Sequence, residues 1–400
     1  MNDQQQAVKV GDLIEVRIEK IIPGGYGLAF GEGFTVFVAL AVVGDHLRVE
    51  VREIKGKIVY AEVHSIISPA PERIDPPCPY VGICGGCDFQ QMSYEAQLNA
   101  KLGIIRDSLH RIAKLDYEDE IKIIPSPQPF QYRLRAQWHL SRDRRNIGYY
   151  RRNSRDLVAI EHCPILAPEL DSTLGYLREA IDWPTVWADK GVVDAAAGDG
   201  GEVSLHSEEL DLETEDITLT IAGEKYTFSA ATFFQGNKFL LETLLDTAIG
   251  EAAGENALDL YSGVGLFTLP LARRFKTVTA VEDYAASVSH ARKNAESAGR
   301  ANINVVTKPV GRYLAEHNGG DIDFVLLDPP RAGTEKKTIY DLIRLSPREV
   351  SYVSCDPSNL ARDLRRFLDG GYQIDSITAI DLFPQTHHVE TIVRLRRPAL

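Results

Sequence analysis

From about residue 232 to the end, short apolar runs alternate with stretches of helical spacing, and nothing else in the chain limits its fold so tightly. "NALDLYSGVG" is a buried strand ending in a Gly-rich turn, and "TVTAVED" is a second strand. "INVV" is a third, "IDFVLLDPPRAG" a fourth with its loop, and "VSYVSCDP" a fifth. "FLLETLLDTAI", "FTLPLARRF" and "AASVSHARKNAESAG" have helical spacing. This alternation predicts an α/β, doubly wound sheet that binds ligands at the carboxyl ends of its strands.

The rest of the 400 residues reads differently. Two or three domains are expected at this length. Residues 8–67 hold about five short alternating strands, among them "LIEVRIEKI", "HLRVEVREI" and "IVYAEVHSII", separated by the turns "PGGYG", "GEG" and "VGD". That pattern suggests a small closed barrel, a form that binds oligonucleotides or docks proteins. A Pro-rich linker follows, then a helical stretch at 93–115, then strands from about 122 to 230. The expected domains are 1–67, 68–230 and 231–400, with segment 93–121 free to pack on the last.

Hydrophobic content of 44% and charged content of 25% are those of a soluble globular chain. No apolar run is long enough to cross a bilayer. The polar start "MNDQQQAVKVGD" lacks the apolar core of a signal peptide, so a cytoplasmic location and no membrane partner are expected. The net charge of -13 argues against a simple nucleic-acid coat. Residues 131–156 nevertheless hold eight arginines and two aspartates, interleaved with Tyr132, Trp138, Tyr149 and Tyr150. Such a stretch is either an RNA-binding face or a solvated sheet face.

"ALDLYSGVG" puts Asp259, Gly263 and Gly265 at a strand-to-helix turn where backbone can approach a ligand. Glu282, at the end of the second strand, is placed to accept hydrogen bonds from ribose hydroxyls. The dinucleotide fingerprint is incomplete, because only "GVG" is present. An adenosine cofactor without a pyrophosphate fits better, and S-adenosylmethionine is the candidate. An ordinary Gly turn is the plainer alternative. After the third strand, "VVTKPVGRYL" offers no acidic side chain for an adenine.

Two strand ends carry reactive groups. "LLDPPRAG" sets Asp328 and Arg331 around a stiff Pro-Pro loop. "VSYVSCDP" sets Cys355 at the ligand-binding edge, where a thiol is better read as a nucleophile than as packing. "FPQTHHVET" adds His387, His388 and the carboxylate of Glu390, a general base if it lies beside that thiol. A methyl donor, a thiolate and a base together suit one reaction. Carbon 5 of a pyrimidine is a poor nucleophile until a thiolate adds at carbon 6.

Three of the five cysteines, Cys78, Cys84 and Cys87, crowd into "CPYVGICGGC". In a chain expected to be cytoplasmic, clustered thiols point to metal. Their spacing fits neither a paired C-x2-C zinc site nor a common bacterial ferredoxin, so zinc and iron–sulfur both stay open.

"FFQGN", "DLYSGVG", "DPPRAG", "SCDPSNLARD" and "HHVET", in this order, resemble the S-adenosylmethionine-dependent RNA 5-methyluridine (uracil-C5) methyltransferases of tRNA and ribosomal RNA. The resemblance covers nearly the whole chain. It implies a Rossmann-like class I methyltransferase domain, an N-terminal OB-like barrel of the TRAM type and a central α+β iron–sulfur domain. It implies Cys355 as nucleophile and Glu390 as the base that removes the carbon-5 proton. Gln235, Tyr261, Gly263, Glu282 and Asp328 become the cofactor residues. A [4Fe–4S] cluster would rest on Cys78, Cys84, Cys87 and the distant Cys163. Members with both a barrel and a cluster often modify 23S rRNA, with tRNA the other substrate class, and a monomer is expected. A non-catalytic iron–sulfur RNA-binding protein is the rival class. A radical enzyme would need a C-x3-C-x2-C triad, which the sequence lacks.

Overall fold

The computed structural model describes residues 8–317, 319 and 321–398. The first seven residues of the expected first domain, and of the polar start, lie outside the described residues.

The N-terminal part is one six-stranded sheet: β1 (Leu13–Arg17), β2 (Lys20–Ile22), β3 (Tyr26–Gly31), β4 (Phe34–Val38), β5 (His46–Lys55) and β6 (Ile58–Ser68). Its order is β1-β5-β6-β4-β3-β2. The first and last places belong to one kinked stretch, whose first half pairs with β5 and whose second half pairs with β3. The sheet thus curls back on its own first strand. Alternation supplies its core, with Val16, Val36, Val49, Val51 and Val59 buried inside. Buried Asp45 pins the exit: it accepts from the amides of Val42 (2.7 Å) and Ala70 (3.0 Å) and from Arg73 (2.6 Å).

Helix α1 (Tyr94–Ser108) follows, capped by the Ser93 hydroxyl, which accepts from the Ala96 amide. One wide turn, Leu109–Ala113, extends it. The buried ammonium of Lys101 pairs with buried Asp381, which also accepts from the Tyr94 hydroxyl at 2.7 Å. Leaving either charge alone would cost several kcal/mol, so α1 is bound to the C-terminal part. Strand β7 (Lys122–Ile124) pairs in parallel with a C-terminal strand, although the sequence pattern placed it in the middle region.

The middle contains β8 (Arg135–Ser141), β9 (Asn146–Tyr150), β10 (Leu157–Ala159), α2 (Pro168–Ala180), β11 (Lys190–Ala197) and β12 (Val203–His206). The five strands form an antiparallel sheet ordered β10-β9-β8-β11-β12. The hairpin β13 (Ile217–Ile221) and β14 (Glu224–Phe228) turns at Ala222 and Gly223, both with positive φ. The Arg-rich stretch is split by this packing. Tyr132 and Trp138 are core residues, and Arg135 donates inward to the Ala230 and Thr232 carbonyls. Arg144, Arg145, Arg151 and Arg155 remain exposed.

The last part holds α3 (Leu241–Ile249), β15 (Gly254–Leu260), α4 (Thr268–Leu271), β16 (Phe275–Glu282), α5 (Ala285–Ser297), β17 (Ile303–Thr307) and α6 (Val310–Glu316). It continues with β18 (Phe324–Leu327), α7 (Lys336–Leu345), β19 (Glu349–Ser354), α8 (Pro357–Asp369), β20 (Gln373–Ile380) and β21 (Glu390–Arg396). The sheet order is β17-β16-β15-β18-β19-β21-β20-β7, with β21 antiparallel between β19 and β20. The order reverses between β15 and β18, the place where such sheets open a ligand crevice. One apolar core runs from Trp138 and Leu170 to Phe228, Leu244 and Phe275, joining the middle sheet to one face. Another joins Ile105 and Leu109 to Tyr352 and Leu364 on the other face. No helix among the described residues is long and apolar enough to cross a membrane.

Candidate active site

The crevice begins at the end of β15. Tyr261 adopts φ +63°, which bends the chain sharply, and Gly263 (φ +55°) continues the turn with open space where a Cβ would stand. The Gly263 amide donates to Glu282 Oε2 at 3.0 Å. Glu282 Oε1 accepts from the Asp283 and Tyr284 amides at 2.9 and 2.8 Å. The carboxylate at the end of β16 therefore holds both loops in place, with lone pairs left for a ligand. Asp259 is fully buried, accepts from Thr268 Oγ1 at 2.5 Å and leaves its Oδ1 without a partner. Burial, and then the charge of Glu282, push it up to about 7.

Asp328 stands one residue beyond β18 and accepts from Gln235 Nε2 at 3.3 Å. Burial, then Asp259, raise it to about 7. Gln235 and Asp328, 93 residues apart, thus meet at the crevice. The loop after Asp328 is docked on α8. Asn359 Nδ2 donates to the Arg331 carbonyl at 2.9 Å, and Arg362 donates to the Thr334 carbonyl at 3.0 Å. The Thr334 and Tyr352 hydroxyls both donate to buried Asp363, each at 2.9 Å. Asp356 caps α8 by accepting from Ser358 and Asn359 amides. The motifs "DPPRAG" and "SCDPSNLARD" therefore form one built unit.

Cys355 lies between β19 and α8. The β19–β21 register ends with Ser354 opposite Thr391, so Cys355 and Glu390 each stand one residue from that last pair. The two groups feel each other: burial first, then Glu390, push the thiol up to about 12, while a hydrogen bond and charge from Arg331 pull it down. Glu390 is 2% exposed. Burial, then Asp328, raise it well above the ordinary carboxylate range, with Arg331 opposing. Once ionised, a carboxylate with a raised pKa is a stronger proton acceptor than an exposed one. Arg331 was legible only as a charge at the loop edge, and Asn359 and Asp363 only as letters of the motif "SCDPSNLARD", without a role of their own.

The loop before Glu390 is tied to the thiol loop. The His387 amide donates to Asp88 Oδ1 at 2.8 Å, and its Nδ1 lies 2.5 Å from Asp88 Oδ2. Burial, then His387, lower His388 to about 3. Cys78, Cys84, Cys87 and Cys163 line one cavity together with Arg133 and Tyr149. Burial raises the thiols of Cys84, Cys87 and Cys163, and Arg133 pulls all three down. Among the described residues no three His, Cys, Asp or Glu side chains converge on a single-ion site.

Residues 204–398 match the family model described as tRNA (Uracil-5-)-methyltransferase. An uncharacterized RNA methyltransferase of Streptomyces avermitilis is 33% identical over 98% of this chain and 99% of its own length. Another, of Thermosynechococcus vestitus, is 30% identical over 96% of this chain and 98% of its own. In fold, the chain is similar to the crystal structure of Pyrococcus abyssi tRNA (uracil-54, C5)-methyltransferase in complex with S-adenosyl-L-homocysteine. The TM-score is 0.72 at 24% identity, over 96% of this chain and 100% of that one. These relatives match along nearly their whole length, and the chain belongs to their family of RNA methyltransferases, with residues 204–398 carrying the match to the tRNA (Uracil-5-)-methyltransferase model.

Proposed function

We propose that this enzyme methylates carbon 5 of a uridine in RNA through a covalent adduct on Cys355. The observation that carries the reading is the β19–β21 register, which ends with Ser354 opposite Thr391 and so leaves Cys355 and Glu390 next to one another at the strand ends. Bound at the crevice of Tyr261, Gly263, Glu282 and Asp328, S-adenosylmethionine supplies the methyl group. The pocket suits it: a buried, unpartnered Asp259 Oδ1 and Ser262 Oγ, and free space at Gly263. Cys355 Sγ attacks carbon 6 of the uracil as Arg331 favours the thiolate. Carbon 5 becomes nucleophilic and takes the methyl group. Glu390 then accepts the carbon-5 proton, the C5–H electron pair restores the ring double bond, and Cys355 leaves as thiolate. The uridine must be out of its stack to reach a half-buried thiol at the end of a strand.

The four thiols fit a [4Fe–4S] cluster. They line one cavity beside Arg133, where four thiolates would hold the cluster. The reaction needs no electron, so its role is structural or RNA-orienting. The six-stranded sheet, read as a TRAM-type module, and the exposed arginines of the middle sheet grip RNA. The substrate expected from barrel plus cluster is 23S rRNA; the description of the matching family model favours tRNA as the second reading. Mapping 5-methyluridine in total RNA from cells with and without the protein tests both. One site should disappear from 23S rRNA. Loss from tRNA replaces the first substrate with the second, and no change in either overturns the reading.

A further inference from the structure

We propose that Asp88, in the thiol loop, is a positioning residue for Glu390, so that the metal-site loop sets the geometry of proton removal. This rests on the reading of Glu390 as the base. Strand β21 begins at Glu390, which pairs with Ile380 of β20, and the residues just before it lie outside the sheet. The connecting loop is held by other elements. Asp88 accepts both from the His387 amide and, through its other oxygen, contacts the His387 ring. The Asp88 and Phe89 amides donate to the Gln385 carbonyl at 3.1 and 3.0 Å. Gln385, at φ +69°, is clasped by Gln97 of α1 through two 3.0 Å hydrogen bonds. The Tyr132 hydroxyl donates to the Pro384 carbonyl at 2.9 Å. Gly25 of the N-terminal sheet closes the junction. At φ +76°, any Cβ there would meet Asp88 Oδ2 at 2.9 Å and the His387 Cβ at 3.1 Å.

Among the described residues, Asp88 is the side chain that hydrogen-bonds the thiol loop to His387, three positions from Glu390. Cys355 is held by β19, which pairs with β21, and by the cap of α8, and neither the Asp88 nor the His387 hydrogen bonds involve it. Weakening the Asp88 contact therefore displaces the base and spares the nucleophile. Addition and methyl transfer proceed, but the carbon-5 proton stays, and the methylated RNA remains bonded to Cys355.

The test is a denaturing gel of enzyme, S-adenosylmethionine and substrate RNA containing ordinary uridine. Glu390→Gln should trap the covalent complex fully. Asp88→Ala should accumulate the same complex, with release slowed by roughly 10- to 100-fold, the order expected from an ångström-scale misplacement, and with KM for RNA little changed. Asp88→Asn, which still accepts from the His387 amide, should restore release. His387→Ala keeps the main-chain bond and should accumulate a smaller share, so it decides the matter should Asp88→Ala fail to fold. A complex with Glu390→Gln but none with Asp88→Ala or His387→Ala overturns this inference alone. No complex with Glu390→Gln removes the base assignment and this inference with it.

Discussion

Asp259 and Asp328 are buried carboxylates at the crevice, each raised to about 7. Their folded values lie above those of an exposed aspartate. The stability they contribute is therefore complete below the ordinary carboxylate range and is lost as pH rises through about 7. Asp328→Asn removes the cost of burying a charge while still accepting from Gln235. Without cofactor, the variant should melt close to the wild type near pH 4, at the value of an exposed aspartate, and pull ahead as pH rises from there. At pH 8.5 it should melt higher by roughly 2–4 °C per kcal/mol relieved. Equal melting at both pH values would contradict the buried-charge account. Individual site residues were unevenly legible. Cys355 stood out because a lone thiol followed a strand and preceded Asp-Pro. Asp88 did not, because it reads as a spacer in the thiol loop and its partner is 299 positions away.

Among elements, the strand–helix alternation named five strands of the catalytic sheet directly, because buried parallel strands are continuous apolar runs. Their order was not legible, since the insertion of β21 between β19 and β20 is a tertiary event. That insertion is what brings Glu390 next to Cys355 at the strand ends. The helix expected in "FTLPLARRF" is only Thr268–Leu271, with Pro270 inside the segment. The basic-aromatic stretch was ambiguous in sequence because strand alternation sends half its side chains inward. The thiol loop and the loop around Cys163 are elements of different segments that share a cavity. Anaerobically purified protein should therefore be brown and contain about four iron and four sulfide per chain. A colourless preparation carrying zinc would contradict the cluster.

On the scale of the whole molecule, three parts converge on one short loop. The N-terminal sheet brings Gly25, the thiol loop Asp88, and α1 Gln97, all against residues 385–387 just before Glu390. The buried Lys101–Asp381 pair locks α1 to the same region. The sequence divides into three domains by pattern, yet the structure knits them at the point where the chemistry needs the most exact placement. RNA carrying 5-fluorouridine tests that chemistry most directly, because fluorine at carbon 5 leaves no proton for Glu390 to remove. With S-adenosylmethionine and an RNA that the enzyme methylates, a stable covalent complex should form, map to Cys355 and be absent from Cys355→Ala. Absence of the complex with the wild-type enzyme, or its formation on Cys355→Ala, would contradict nucleophilic attack by this thiol.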